Sequence, residues 1–171
     1  LALYLRKMSG VAVGIETNAG PAGADVVILI GEVAQEHFGP VGIEVFGKQG
    51  YRVAVKKDRV GLYGESDLAA SYAIYDVLDG LGCRWYMPGD LGEVIPQLTT
   101  VSLAEQDRTG GPFTYYRGIW YADEAYKRRN RCGGFLINAG HALEGYVSED
   151  LRKQHPEWRA ISDGKPQARR L

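Results

Sequence analysis

The sequence is poor in cysteine: Cys83 and Cys132 are the only two among 171 residues, and they do not form a CxxC pair. That is too few for a disulfide framework or a closed zinc site, so both are expected as buried free thiols packed like small apolar side chains. The three histidines, His37, His141 and His155, show neither HExxH nor HxH spacing, and no metal is expected. Neither GxGxxG nor GxxxxGKS/T occurs among the 23 glycines, and Gly31 after the apolar run Val26 to Ile30 lacks the rest of a phosphate cradle. No cofactor is expected.

Long hydrophobic runs are also missing. Val26 to Ile30 falls far short of the ~20 apolar residues of a membrane helix, so no membrane partner is expected. Nor is there an excess of either charge, because 20 basic and 21 acidic residues are interspersed along the chain. Such a surface has no field to attract nucleic acid. The first residue is Leu1 rather than methionine, and Leu1 to Met8 already has the pattern of a helix interior. A preceding N-terminus, with any signal peptide, is therefore expected.

What the sequence does contain is alternating strand and helix patterning. Leu1, Leu5 and Met8 recur at helical spacing and stop at Gly10. Val11 to Ile15 and Asp25 to Ile30 are β-branched and read as strands, the second buried on both faces, with a short helix over Gly31 to Phe38. Tyr51, Val53 and Val55 alternate with Arg52, Ala54 and Lys56, Asp58 and Arg59 interrupt, and Val60 to Tyr63 resumes, which predicts a hairpin. Ser66 offers an N-cap to a helix carrying Ala70, Ile74, Val77, Leu78 and Leu81, ended by Gly80 and Gly82. Cys83 to Tyr86 is a short aromatic strand, and Gly92 to Leu103, with Pro96, is an extended edge segment.

The composition then changes. Residues 105–112 are polar with Gly110, Gly111 and Pro112, the make-up of a linker between a first α/β domain at 1–104 and a second unit at 113–171. The second unit reads as strand Tyr115 to Tyr121, helix Asp123 to Arg131 and strand Gly134 to Asn138, with a last helix from Ser148 to about Gln154. Such alternation predicts βαβ units of a parallel sheet or barrel. A closed eight-fold barrel takes about 250 residues, so the barrel is expected to be incomplete.

Residues 51–96, YRVAVKKDRVGLYGESDLAASYAIYDVLDGLGCRWYMPGDLGEVIP, resemble the N-terminal domain that precedes the catalytic barrel in bacterial glycoside hydrolases of the α-glucuronidase and β-N-acetylhexosaminidase type. The match is nearest to the uncharacterised barrel proteins called DUF4838. PFTYYRGIW at 112–120 resembles the start of the first barrel strand, RRNRCGGFLINAGH at 128–141 the helix and strand after it, and HPEW at 155–158 a later segment. The resemblance implies an α+β sandwich followed by an incomplete (β/α) barrel. It also implies a carbohydrate-active enzyme fragment whose partners are an oligosaccharide or polysaccharide substrate and the remainder of its own barrel. Catalytic carboxylates are expected beyond Leu171, and a periplasmic or secreted location is implied. The alternative is a non-catalytic structural or carbohydrate-binding module that supports the barrel.

Four residues are candidate sugar contacts. The resemblance gives Arg117 the task of gripping sugar hydroxyls, for which a planar multi-donor group is suited, against a role saturating backbone carbonyls. Asn138 and His141 follow the apolar run Phe135 to Ile137, where a barrel strand would end at its functional face. Trp120 ends the preceding strand and offers an aromatic face for stacking, as Trp85 does, against ordinary packing for either. Asp123 and Glu124 are adjacent. Glycosidase carboxyls stand ~5 to 9.5 Å apart across a bond, so these two are expected to cap the following helix instead.

Overall fold

The computed structural model describes residues 1–17, 25–135 and 143–166. The chain divides into two compact units, Leu1–Phe135 and Leu136–Leu171.

The first unit begins with helix α1, Ala2–Ser9, which Gly10 closes in the left-handed conformation that glycine adopts without a Cβ clash. Strand β1 (Val27–Ile30), helix α2 (Glu32–Phe38), strands β2 (Tyr51–Val55) and β3 (Arg59–Gly64) and helix α3 (Asp67–Gly80) follow. Then come the short strands β4 (Arg84–Trp85) and β5 (Glu93–Val94), strand β6 (Gln106–Gly110), strand β7 (Tyr116–Arg117), helix α4 (Glu124–Arg129) and strand β8 (Gly133–Gly134).

Four of these strands make one mixed sheet in the order β1-β3-β2-β6. The hairpin β2/β3 is its centre, antiparallel with Val53 opposite Leu62, as the alternation predicted. β1 joins β3 in parallel, and β6 joins β2 antiparallel. Strand alternation sends Val53, Val55, Val60 and Leu62 to one face, where Ala69, Tyr72, Ala73 and Val77 of α3 cover them. Tyr63 faces the other way and packs with Ala34 of α2 and Val41. Ser66 caps α3 by accepting from the Ala69 amide at 3.2 Å. The fold is thus mixed α/β with helices on both faces of a small sheet.

Several expectations are corrected. Val11 to Ile15 forms no strand and its apolar side chains are exposed, since none of the four sheet positions falls to it. β1 is half-buried rather than enclosed on both faces. Between Gly92 and Leu103 only Glu93–Val94 is strand, paired with β4. The linker composition at 105–112 conceals β6. It is an edge strand, where polar residues are tolerated, and Arg52 of β2 holds Asp107 through Nε and Nη2 at 2.8 and 2.9 Å. The compact unit therefore runs past residue 104 as far as Phe135. Within it β7 and β8 pair antiparallel, Tyr116 opposite Gly134, where the βαβ reading required parallel neighbours. Helix α4 between them is short enough for the chain to double back directly.

A second apolar cluster joins α1 to the end of α3, through Tyr4, Met8, Leu78, Cys83, Trp85 and Tyr126. Cys83 is a buried free thiol as expected, whereas Cys132 is only partly buried. Glu93 lies beside this cluster, accepting from Tyr4 Oη at 2.7 Å and Trp85 Nε1 at 3.2 Å and pairing with Lys7. Burial alone would raise its carboxyl. The bonds from Lys7, Tyr4 and Trp85 outweigh that and hold it below its ordinary value. Burial and the Glu93 bond push the Tyr4 hydroxyl up to about 12.

The depressed carboxyl stabilises the fold above its unfolded value of 4.5 and loses that contribution as pH falls through the folded value. The raised phenol acts at the other end, its contribution intact below pH 10 and lost as pH rises toward about 12. Glu93→Gln is expected to flatten the loss of urea midpoint below pH 4.5 relative to the parent. Identical acid limbs in the two proteins would remove Glu93 from this role.

The second unit contains helices α5 (Leu143–Tyr146) and α6 (Glu149–Gln154) and the antiparallel pair β9 (Ile161–Ser162) and β10 (Lys165–Pro166). Ser148 caps α6 through the Leu151 amide at 3.3 Å, as its sequence position predicted. His155 stacks on Trp158 with ring centroids 4.0 Å apart.

Candidate functional site

Arg117 is the organising residue of the first unit's polar centre. Its partner Gln49 is 2% exposed, the only buried polar or charged residue among the described residues. The 45–50 loop presents Gln49 because Glu65 Oε2 accepts from the Val45 and Gly50 amides at 3.0 and 2.7 Å, and Ser66 Oγ donates to Lys48 O at 2.7 Å. Gln49 Nε2 donates to Phe46 O at 3.0 Å, which turns Oε1 inward as an acceptor.

Strand β7 brings Arg117 to that acceptor. Its Nη2 donates to Gln49 Oε1 at 2.6 Å and to Tyr72 Oη at 3.2 Å, its Nε to Arg131 O at 3.0 Å, and its Nη1 to Thr114 O at 3.2 Å. The Tyr72 hydroxyl in turn donates to Cys132 O at 2.9 Å. Burial raises the Tyr72 phenol, against a lowering influence from Arg117, so Tyr72 stays a neutral donor at ordinary pH. Burial also raises the Cys132 thiol, again opposed by Arg117. Four of the five guanidinium protons of Arg117 are thereby engaged within the protein, leaving one on Nη1.

The node ties residues 113–135 to the sheet and α3, and two further contacts reinforce it. Tyr115 and Phe135 set their rings edge-on to Phe46, with centroids 5.0 and 6.5 Å away. Tyr126 of α4 enters the second apolar cluster and donates from Oη to Tyr86 O at 3.0 Å. Asp123 caps α4 through the Tyr126 amide at 2.7 Å, and Glu124 pairs with Lys127 at 2.8 Å, in keeping with the capping expectation for these carboxylates.

Beside the node lies a cleft of about 240 Å³ whose walls include Tyr51, Tyr72, Phe113, Arg117, Asn130 and Arg131. Of the two sequence candidates among the described residues, Arg117 lies on this cleft and Trp120 does not. Trp120 is 68% exposed, meets Tyr121 edge-on and takes no part in the walls. Asn138 and His141 fall outside the described residues. Trp85 is buried, its ring edge-on to Tyr4 and Tyr75, and so packs rather than stacks on a ligand.

Gln49, Tyr72 and Arg131 were not legible as functional from sequence. Gln49 sits in a loop with no motif, and Tyr72 shares the apolar face of α3. Arg131 contributes its carbonyl, which any residue could supply. The faint signal was a lone tyrosine among the small and aliphatic residues of that face.

Among the described residues no helix is long and apolar enough to cross a membrane, and no group of three or more histidine, cysteine, aspartate or glutamate side chains is arranged to hold a metal ion. No protein-family model, curated protein or solved structure matches this chain.

Proposed function

We propose that the sheet and its helices form the bracing module of a carbohydrate-active enzyme, and that the chain from residue 113 onward begins the unit it braces. The observation that carries this reading is the Arg117 node, in which a side chain of the later segment is locked by Gln49 and Tyr72 of the earlier one. A residue with four internal hydrogen bonds is suited to fixing one segment on another more than to exchanging partners with substrate. The carbohydrate part of the proposal rests on the resemblance of residues 51–96 and 112–120 to accessory domains and barrel starts of glycoside hydrolases. In this reading the catalytic carboxylates lie elsewhere in the protein, in a barrel that the chain after Pro112 leads into.

The test uses the full-length protein on a panel of aryl glycosides. Hydrolysis of at least one is expected, with Arg117→Ala shortening the thermal half-life of activity and leaving KM unchanged. A raised KM at unchanged half-life would instead give Arg117 the sugar-gripping role. Absence of hydrolysis across the panel would remove the carbohydrate assignment.

A further inference from the structure

We infer that the cleft beside the Arg117 node is a binding site for a small aromatic carboxylate, a role that goes beyond bracing and does not depend on the carbohydrate reading. Three features of the cleft define its ligand.

The first is charge. Arg117 and Arg131 both line the cleft, and none of its described lining residues is acidic. Arg117 retains one Nη1 proton after its internal bonds. The Arg131 guanidinium forms long ion pairs with Asp76 and Asp79 of α3, at 3.9 and 4.0 Å, but no hydrogen bond to either, and Asp76 also pairs with Arg108. Two guanidinium groups with donors to spare suit a carboxylate, which accepts such planar donors in pairs.

The second is the wall. Tyr51, Tyr72, Phe113 and Pro112 give it aromatic and apolar character, and the volume of about 240 Å³ fits a single ring. Three of the polar groups along it already have partners: Thr114 Oγ1 donates to Tyr116 O at 3.2 Å, Asn130 Nδ2 to Tyr126 O at 3.1 Å and Tyr72 Oη to Cys132 O at 2.9 Å. Such a mainly apolar wall favours a flat apolar ring over a polyhydroxylated one.

The third is the backbone of Arg131. Helix α4 ends with the Cys132 amide bonded to Lys127 O and the Arg131 amide to Arg128 O, the paired closure in which glycine normally occupies the left-handed position. Here that position is held by Arg131 at φ 55°. A long cationic side chain is therefore kept at a strained site on the wall of the cleft, where strain is characteristically tolerated for function.

This strain provides a clean variant. Arg131→Gly removes the side chain, relieves the left-handed backbone and keeps the carbonyl that accepts from Arg117, so its melting temperature is expected to equal or exceed that of the parent. The probes are benzoate, its neutral isostere benzamide, and glucuronate, which carries the same charge on a hydroxylated ring, each followed by calorimetry and by amide shifts in the intact chain. Saturable binding of benzoate is expected, about tenfold or more tighter than either of the other two, and weakened at least about tenfold in Arg131→Gly. The site is overturned by no saturable benzoate binding, by benzamide binding equally well, or by undiminished affinity in a folded Arg131→Gly protein. Preference for glucuronate would overturn the aromatic class.

Discussion

Replacing Arg117 with alanine is expected to lower the unfolding free energy of the first unit by about 3 kcal/mol, read as a fall in urea midpoint at unchanged slope. The substitution removes the donor to Gln49 Oε1 at 2.6 Å and leaves that buried carbonyl oxygen with only the long contact from Tyr72 Oη. The nearest remaining hydroxyl, Tyr72 Oη, is 3.4 Å away and already donates to Cys132 O at 2.9 Å. The carbonyls of Thr114 and Arg131 lose their donor at the same time. Arg117→Lys is expected to recover less than half of the loss, because an ammonium on a flexible stem cannot reach acceptors on four sides of a planar fork. A loss below about 0.5 kcal/mol for the alanine variant, the range of an ordinary surface substitution, would show that the node is not structural.

The second large effect is expected at the crossing of sheet and helix. A Cβ on Gly64 would stand 2.5 Å from Ala69 Cβ, 2.6 Å from Ala69 C and 2.8 Å from Ala70 N. Two of these three atoms are backbone of α3, which cannot turn aside as a flexible side chain can. Gly64→Ala must therefore lift the first turn of α3 from β3 and disturb the packing of Leu62, Tyr72 and Val77. A cost of about 3 kcal/mol is expected, at the upper end for overpacking a core. Gly80, at the other end of the same helix, is the internal control, since a Cβ there meets nothing within 4 Å. Gly80→Ala is expected to stabilise by about 0.5 to 1 kcal/mol through helix propensity and a smaller unfolded ensemble. Equal effects at the two positions would contradict the described packing of α3 on β3.

The parts of this fold that were legible in the sequence are those whose signal is local. The β2/β3 hairpin announced itself by alternation of Tyr51, Val53 and Val55, and α3 by the spacing of Ala70, Val77 and Leu78 after the Ser66 cap. Burial of one face enforces both patterns. Strand β6 carries no such pattern, because Gln106, Asp107 and Arg108 lie at a sheet edge where little is buried and pairing rests on backbone bonds and on Asp107 meeting Arg52. Val11 to Ile15 shows the converse, since β-branched residues alone do not make a strand without a partner strand beside them.

The site was harder to read because its acceptors are mostly carbonyl oxygens. Arg117 could be singled out by its type and its RG pair, but its engagement with Arg131 O and Thr114 O depends on how β7 and the end of α4 are placed. Of the two readings open for Arg117, its geometry favours the one in which it saturates protein acceptors. The left-handed backbone of Arg131 was likewise invisible, because in sequence it is one arginine of a basic run ending α4.

Amide hydrogen exchange, compared between the parent chain and Arg117→Ala under native conditions, tests the bracing account most directly. Faster exchange is expected at Arg117 and from Arg131 to Gly134, with the central strands Tyr51–Val55 and Arg59–Gly64 keeping their protection. That outcome would identify Arg117 as the tie between the sheet domain and the segment it seats. Unchanged protection of residues 131–134 in the variant, or equal loss throughout the sheet, would contradict it.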